Sequence, residues 1–191
     1  MSLLRGGYPP NDPTYLLRGS TPADTSKAPR ANMGRLIGSD TAALTTQVLT
    51  TVALPLNAGD LVTKLVFKSG ATATGTPTNY WFALYDTAGA LIAQTADQTS
   101  TAWAADTTKD LALSTPYLVT KPGVYYAGIM VKASTVPSLV GVTLARAALS
   151  TGFLSTDVVL SQTSGTGLTD TAPSTIGTVT AIAAVPKVLA H

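Results

Sequence analysis

Cysteine and glutamate are both absent from this 191-residue chain, and histidine occurs once, as His191. Without thiols the chain can form neither a disulfide nor a thiolate metal site. The ten acidic side chains are all aspartates, so the residues that most often act as nucleophile or general base are nearly all missing. These absences predict a non-enzymatic protein that needs no cofactor and no metal.

The few chemical motifs that remain are weak. Asp106 and Asp110 are close in sequence, but polar turns and strand ends account for them better than a carboxylate pair for glycoside hydrolysis does. The loops GATATG and SGTGL contain glycines without the lysine and the strand–loop–helix setting of a phosphate-binding loop. Neither motif favours catalysis.

Charge is also scarce. Only 12% of the residues are charged and the net charge is +2, which gives no basic field for nucleic acid. No apolar run approaches the roughly 20 residues of a membrane span, and the start of the chain does not resemble a signal sequence. We therefore expect a soluble protein, made in a cytoplasm, that binds neither nucleic acid nor membrane.

What the chain does contain favours β-structure. Thr supplies about one residue in six, and Thr, Val, Ala and Gly outnumber the long side chains that favour helices. From residue 47, short alternating runs are separated by turn residues, which predicts an all-β domain over 47–191. We expect a β-sandwich or jelly roll of about ten short antiparallel strands, with 142–149 as an alternative helical turn. The predicted strands cover residues 47–56, 61–68, 79–86, 91–96, 109–114, 117–120, 124–133, 139–145, 157–163 and 178–190. In the second of them, the residues predicted to share one face are Leu61, Thr63, Leu65 and Phe67.

Residues 1–46 differ from the rest. They contain five prolines among glycines, show no period of 2 or 3.6, and carry the whole net charge of +2. Such a stretch cannot build its own core and is typical of a solvated tail. The alternative is an extended arm that lies on a neighbouring subunit. The candidate contacts of this arm are Arg5, Tyr8, Tyr15, Leu16, Leu17, Arg18, Arg30, Met33, Arg35, Leu36 and Ile37.

The aromatic run NYWFALYD, residues 79–86, is either a ligand platform or a core strand. Alternation places Tyr80 and Phe82 on one face and Trp81 and Tyr85 on the other, and VYYAGIMV at 124–131 is likewise apolar on both faces. This pattern predicts central strands covered on both sides by a second layer or a partner subunit. Trp103 is different, because it lies in the polar stretch TSTAWAADTT and could meet a partner or close the end of a barrel.

The phrases GTPTNYWFALYD, QTADQTSTAW, LALSTP and GVYYAGIMVKASTVPSL, with GGYPPNDP near the start, carry a resemblance that covers most of the chain. They resemble virion structural proteins of phages that infect actinobacteria, in the minor capsid, head fibre and capsid decoration group. The resemblance implies a β-sandwich on the outer capsid surface, without enzymatic activity. Its implied partners are the major capsid protein and further copies of the chain, with a trimer favoured.

Two functions remain open at this stage. In the first, the protein attaches to the major capsid shell through its N-terminal arm and stabilises the shell. In the second, it is a receptor- or carbohydrate-binding module of a head or tail fibre, with a host surface glycan as partner. Trp103, Tyr117 and the loops at 70–79 and 97–108 are the candidate contacts for the second function. Two or more rings on an open concave face would favour it.

Overall fold

The computed structural model describes residues 30–34 and 38–191. The regular secondary structure of this part of the chain is almost entirely β-strand, with one 3-10 helix at Ala147–Thr151. The prediction of an all-β sandwich is confirmed. The strands are β1 (Arg30–Ala31), β2 (Ser39–Asp40), β3 (Leu49–Leu56), β4 (Leu61–Lys68), β5 (Gly75–Tyr85), β6 (Leu91–Gln94), β7 (Thr108–Leu118), β8 (Gly123–Thr135), β9 (Val140–Thr143), β10 (Ser161–Ser164), β11 (Val179–Ala181), β12 (Ala184–Pro186) and β13 (Val188–Ala190).

The strands form three antiparallel sheets. A six-stranded sheet has the order β11-β10-β3-β8-β5-β6, and a four-stranded sheet has the order β1-β13-β4-β7. A three-stranded sheet, β12-β9-β2, lies beside them. An isolated bridge between Thr95 and Leu113 joins the two larger sheets where β6 and β7 are neighbours. No helix among the described residues is long and apolar enough to cross a membrane.

The main core lies between the two larger sheets. β8 is the centre of the six-stranded sheet, paired with β3 on one side and with β5 on the other. Tyr80 and Phe82 of β5 point into this core, as the alternation predicts, and Phe82 packs edge-on against Phe67 of the facing sheet at 4.8 Å between ring centroids. The hydrophobic effect and aromatic packing therefore join the two layers at their middle.

The second face of the six-stranded sheet is also covered, by a loop of the same chain. Trp81, Tyr85 and Met130 form a separate buried cluster there, with Tyr126 half-buried at its border. The cover is the segment 165–178, which we call the strap. A layer from the chain itself thus explains why both central strands are apolar on both faces.

The predicted face of 61–68 is partly wrong. Val62 is buried, whereas Leu61 is 46% exposed. The register between β4 and β7 shifts between Val62 and Lys64, and a shift of this kind interrupts the alternation of side chains. Leu65 and Phe67, beyond the irregularity, are buried as predicted.

The strands number thirteen rather than ten, because β1 and β2 lie within the predicted arm and because two other predicted regions divide differently. The predicted strand at 178–190 is divided into β11, β12 and β13, while 109–114 and 117–120 are continuous in β7. Strand β10 begins at Ser161, later than predicted. The predicted helical turn is present but lies further along, at Ala147–Thr151.

Candidate functional site

The base of the predicted arm is part of the folded domain. Strand β1 pairs antiparallel with β13, so that Arg30 lies opposite Ala190 and Ala31 lies opposite Leu189. Strand β2 pairs in the same way with β9. Residues 30–31 and 39–40 are therefore domain strands, and the predicted domain start at residue 47 is too late.

Asn32 attaches the arm base to the last strands of the chain. Its Nδ2 donates to the Pro186 carbonyl at 2.8 Å, and its Oδ1 accepts from the Val188 N–H at 3.0 Å. Nearby, the Lys187 Nζ donates to the Gly34 carbonyl at 3.1 Å. A side-chain amide can satisfy a donor and an acceptor of the same neighbouring strand, and this holds the chain direction fixed after β1.

A paired charge holds the other side of the arm base. The Arg30 guanidinium donates from Nε to Asp60 Oδ2 at 2.8 Å and from Nη2 to Oδ1 at 2.6 Å, with side chains only 12% and 8% exposed. Asp60 Oδ2 also accepts the Asn57 N–H at 2.8 Å in the turn between β3 and β4. A bidentate pair with few remaining water contacts is geometrically specific. It links the arm base to the four-stranded sheet.

Two of the predicted arm contacts therefore have a different role. Arg30 and Met33 were expected to meet a neighbouring subunit, but Arg30 pairs with Asp60 and Met33 is half-buried against the main core. Both contacts are within the domain. The other predicted contacts lie outside the described residues; these are Arg5, Tyr8, Tyr15, Leu16, Leu17, Arg18, Arg35, Leu36 and Ile37.

Trp103 is a core residue and not a ligand contact. Its side chain has no exposed surface, and its ring lies 5.6 Å from Tyr80 and 5.9 Å from Phe82 between centroids. The indole Nε1 donates to the Thr107 carbonyl at 3.1 Å. The burial of Trp103 could not be read from the polar sequence around it, because the loop folds inward and only its one large apolar side chain enters the core.

Tyr117 is half-buried. Its ring packs 6.0 Å from that of Tyr125 at the border of the core.

The loops at 70–79 and 97–108 are joined by a hydrogen bond from the Thr74 N–H to the Trp103 carbonyl. In the described residues, Phe153 is the only exposed aromatic side chain, and the others are buried or half-buried. The arrangement of two exposed rings that would favour glycan binding is thus not found in this part of the chain.

Two aspartates illustrate the structural contacts that titratable side chains make in the described residues. Asp110 accepts from Lys64 Nζ at 3.2 Å and lies 3.4 Å from His191 Nε2 on the outer face of the four-stranded sheet. Asp86 caps the turn after β5 by accepting the N–H groups of Ala88 and Ala90, both at 2.8 Å. No group of three or more potential metal ligands occurs among residues 30–34 and 38–191.

The most exposed apolar side chains were not predicted from the sequence. Phe153 is 91% exposed and Leu154 is 66% exposed, in the loop between the 3-10 helix and β10. We call the exposed side chains of this loop the apolar tip: Leu149, Phe153, Leu154, Val158 and Leu160. Residues 157–163 were predicted as a strand because DVVLSQT is rich in β-formers. The preceding STGFLSTD, with two apolar residues between turn formers, was the available signal.

No protein-family model matches this chain, and the comparison with curated proteins finds no match. The resemblance to phage virion proteins accordingly remains a prediction from the sequence phrases.

Proposed function

We propose that this chain is a non-enzymatic virion structural protein, a decoration or minor capsid protein that attaches to the major capsid shell through its N-terminal arm. The observation that carries the proposal is the fixation of the arm base. Residues 1–29 enter the domain at β1, where the Arg30–Asp60 pair and the Asn32 hydrogen bonds hold the backbone in place.

An arm that attaches a domain to a shell needs a fixed junction with that domain. If an arm on a shell bears load, the force passes to the domain at the first fixed residue, and a loose junction would extend before the domain resisted. Here the junction is bonded to the last strand and, through Asp60, to the turn before β4. Many copies on a shell add their contacts, so that individually modest attachments together stabilise the particle.

The rest of the domain suits a structural role. The strap covers the second face of the six-stranded sheet, and both tryptophans are fully buried. Residues 1–29 carry three Lys or Arg against two Asp, and residues 30–191 carry nine against eight, so each part has a net charge of only +1. Such a weak field favours attachment through apolar and hydrogen-bonding contacts over attachment through charge.

The test mixes purified protein with shells assembled without it and measures co-sedimentation. The truncation that removes residues 2–29 keeps β1 and the Arg30–Asp60 pair, and is therefore preferable to one that extends into the domain. Full-length protein is expected in the pellet with the shells, and the truncated protein in the supernatant. Truncated protein that sediments equally well would refute attachment through the arm.

A matched pair of arm variants refines this test. Replacement of the apolar stretch Tyr15, Leu16 and Leu17 by serine is expected to weaken shell binding, because these side chains can bury apolar area. Replacement of the neighbouring polar residues Thr14, Ser20 and Thr21 by alanine is the control and should leave binding unchanged. If no form binds shells but all bind host cell-wall glycans, the receptor-binding function replaces the one proposed here.

A further inference from the structure

We propose that the apolar tip is a self-association surface that inserts into a groove on a second copy of this chain. The inference extends the structural role proposed above by identifying the surface through which copies join. It is tested on the isolated protein, so its failure would be distinguishable from a failure of shell attachment.

Exposed apolar side chains are concentrated in the tip. Of the eight large hydrophobic side chains that are exposed in the described residues, five lie within 149–160. Together these five present roughly 500 Å² of apolar surface, the size of the largest patches on soluble proteins, which often mark interaction sites. Loops that only contact water are usually polar, so this concentration of apolar side chains indicates a contact surface.

The loop that carries the tip is held in one shape. Asp157 Oδ2 accepts the N–H groups of Phe153 at 2.7 Å and Leu154 at 3.0 Å, and these bonds keep the pKa of the Asp157 carboxyl below its ordinary value. Gly152 has a φ of 80°, and a Cβ there would lie 2.3 Å from the Asp157 Cβ. The two most exposed side chains are therefore presented on a preorganised turn, which lowers the entropy cost of binding.

The base of the loop is fixed to the six-stranded sheet. The buried Ser150 hydroxyl donates to the Ser161 carbonyl at 2.8 Å and accepts the Ser161 N–H at 2.9 Å. The Leu160 N–H donates to the Ser150 carbonyl at 2.8 Å. Because of these bonds, a partner that binds the tip is held rigidly to the six-stranded sheet.

A groove of about 240 Å³ lies beside the tip and matches it chemically. Its lining includes Thr41, Leu44, Thr163, Ile182, Ala184 and Pro186, and none of its lining residues is charged. A cavity of roughly 150 Å³ lined by apolar side chains can hold a benzene ring, so this groove has space for the Phe153 ring and part of a neighbour. The one charged residue within 147–160 is Asp157, whose carboxylate is exposed to water and hydrogen-bonded to the N–H groups of Leu154 and Phe153, so the insertion need not bury it.

The position of the groove indicates a second copy as the partner. Thr143, at the end of β9, and Thr163, in β10, both line the groove, and the loop with the tip runs between these two strands. Phe153 is 91% exposed, so the tip does not fill the groove of its own chain. Complete burial of all five tip side chains, by the groove and by the surface around it, would cover on the order of 1,000 Å² in total, near the lower limit for a specific interface. Repeated tip-to-groove contacts close into a ring when the rotation allows it.

The test measures the mass of the full-length protein by sedimentation velocity over a range of concentrations. Wild-type protein is expected to self-associate. The tip variant F153S/L154S and the groove variant A43D are expected to be monomeric and folded, because Phe153, Leu154 and Ala43 are exposed in one chain. The control L61S/L118S removes two exposed leucines that face each other on β4 and β7, and should associate like wild type.

Mixing the two monomeric variants gives the sharpest outcome. The tip variant keeps an intact groove and the groove variant keeps an intact tip, so the mixture is expected to form dimers and nothing larger. Wild-type protein that stays monomeric, or a tip variant that still associates, would overturn the proposal. Loss of association on removal of residues 2–29 would instead make the arm the occupant of the groove. Tip-dependent binding of monomers to phosphatidylglycerol vesicles would identify a membrane contact and also overturn it.

Discussion

Tyr80 and Tyr125 show how two buried phenols of the same core differ in their partners. The Tyr125 hydroxyl donates to the Lys121 carbonyl at 3.0 Å. The Tyr80 hydroxyl is buried and has no hydrogen-bond partner among residues 30–34 and 38–191. Burial, and then the charge of Asp97, raises the pKa of Tyr80 to about 12; burial, and then the contact with Tyr117, raises the pKa of Tyr125 to about 12. The two hydroxyls thus share a protonation state and differ in what they stabilise.

Replacing each tyrosine by phenylalanine separates these effects. At neutral pH, Y125F is expected to lower the free energy of unfolding by about 1 kcal/mol, because it removes a hydrogen bond and leaves the Lys121 carbonyl without that donor. Y80F is expected to change it by less than about 0.5 kcal/mol, because no bond is lost. Urea unfolding of both variants is the measurement. A Y80F cost equal to that of Y125F would mean that the Tyr80 hydroxyl has a partner, such as a buried water.

At alkaline pH, the two raised pKa values predict the direction in which the free energy of unfolding changes. Both tyrosines have a folded pKa above the value of 10.0 that applies when the chain is unfolded. The unfolded chain therefore releases these protons first, so the stability they contribute is complete below pH 10 and is lost as pH rises towards 12. Each phenylalanine variant should show a smaller loss of stability over this interval than wild type.

At the level of elements, the strap is held by side chains of the strands beneath it. Trp81 Nε1 donates to the Thr169 carbonyl at 2.7 Å. Gln94 contacts the strap twice, donating from Nε2 to the Asp170 carbonyl at 2.9 Å and accepting the Ala172 N–H on Oε1 at 2.6 Å. Backbone hydrogen bonds hold it as well, from the Leu91 N–H to the Ser174 carbonyl at 2.9 Å and from the Ile176 N–H to the Gly89 carbonyl at 2.8 Å, on either side of a bridge between Ala90 and Thr175. Side chains and backbone together therefore fix the position of the strap over the apolar cluster.

Removal of the Gln94 contacts should loosen the strap without unfolding the sandwich. Q94A is expected to cost about 1–2 kcal/mol and to speed amide exchange of residues 168–176. Quenching of Trp81 fluorescence by acrylamide should increase as well. The control is Q98A, because the Gln98 side chain bonds to the Ala96 carbonyl in its own loop. Unchanged exchange in Q94A would show that the Gln94 contacts are dispensable and that the Trp81 bond, the backbone hydrogen bonds and the apolar contacts hold the strap.

The central strands were predictable and their cover was not. Alternation in 79–86 and 124–131 assigned both faces of β5 and β8, because a strand has a fixed period and neighbouring side chains point to opposite sides. The strap has no period, and its contacts with Trp81 and Gln94 join residues far apart in sequence. For the same reason the sequence left Trp103 open between a partner contact and closure of a barrel end, since a loop that folds inward shows no pattern in its sequence.

For the whole molecule, the part of the domain that the structure describes begins at β1. The arm could be located from its prolines, but its boundary could not, because the pairing of Arg30 with Asp60 depends on a fold that local composition does not reveal. Residues 1–29 are the part of the predicted arm that precedes this pair. Removal of 2–29 and removal of 2–40 should therefore have different consequences.

Urea unfolding of the two truncated proteins tests this boundary. The protein without residues 2–29 is expected to unfold within about 0.5 kcal/mol of wild type. The protein without residues 2–40 loses β1, β2 and the partner of the buried Asp60 carboxylate, and should be less stable by about 3–5 kcal/mol. Equal stability of the two truncated proteins would contradict a structural role for the Arg30–Asp60 pair.

The pairing of β1 with β13 also has a consequence for the order of events during synthesis. The paired residues Arg30 and Ala190 are almost the full length of the chain apart, so this contact forms only after β13 has left the ribosome. The pair between Arg30 and Asp60 joins residues only 30 positions apart, so it can form much earlier. The two bonds that fix this junction therefore belong to different stages of synthesis, the side-chain pair to an early stage and the backbone pairing to a late one.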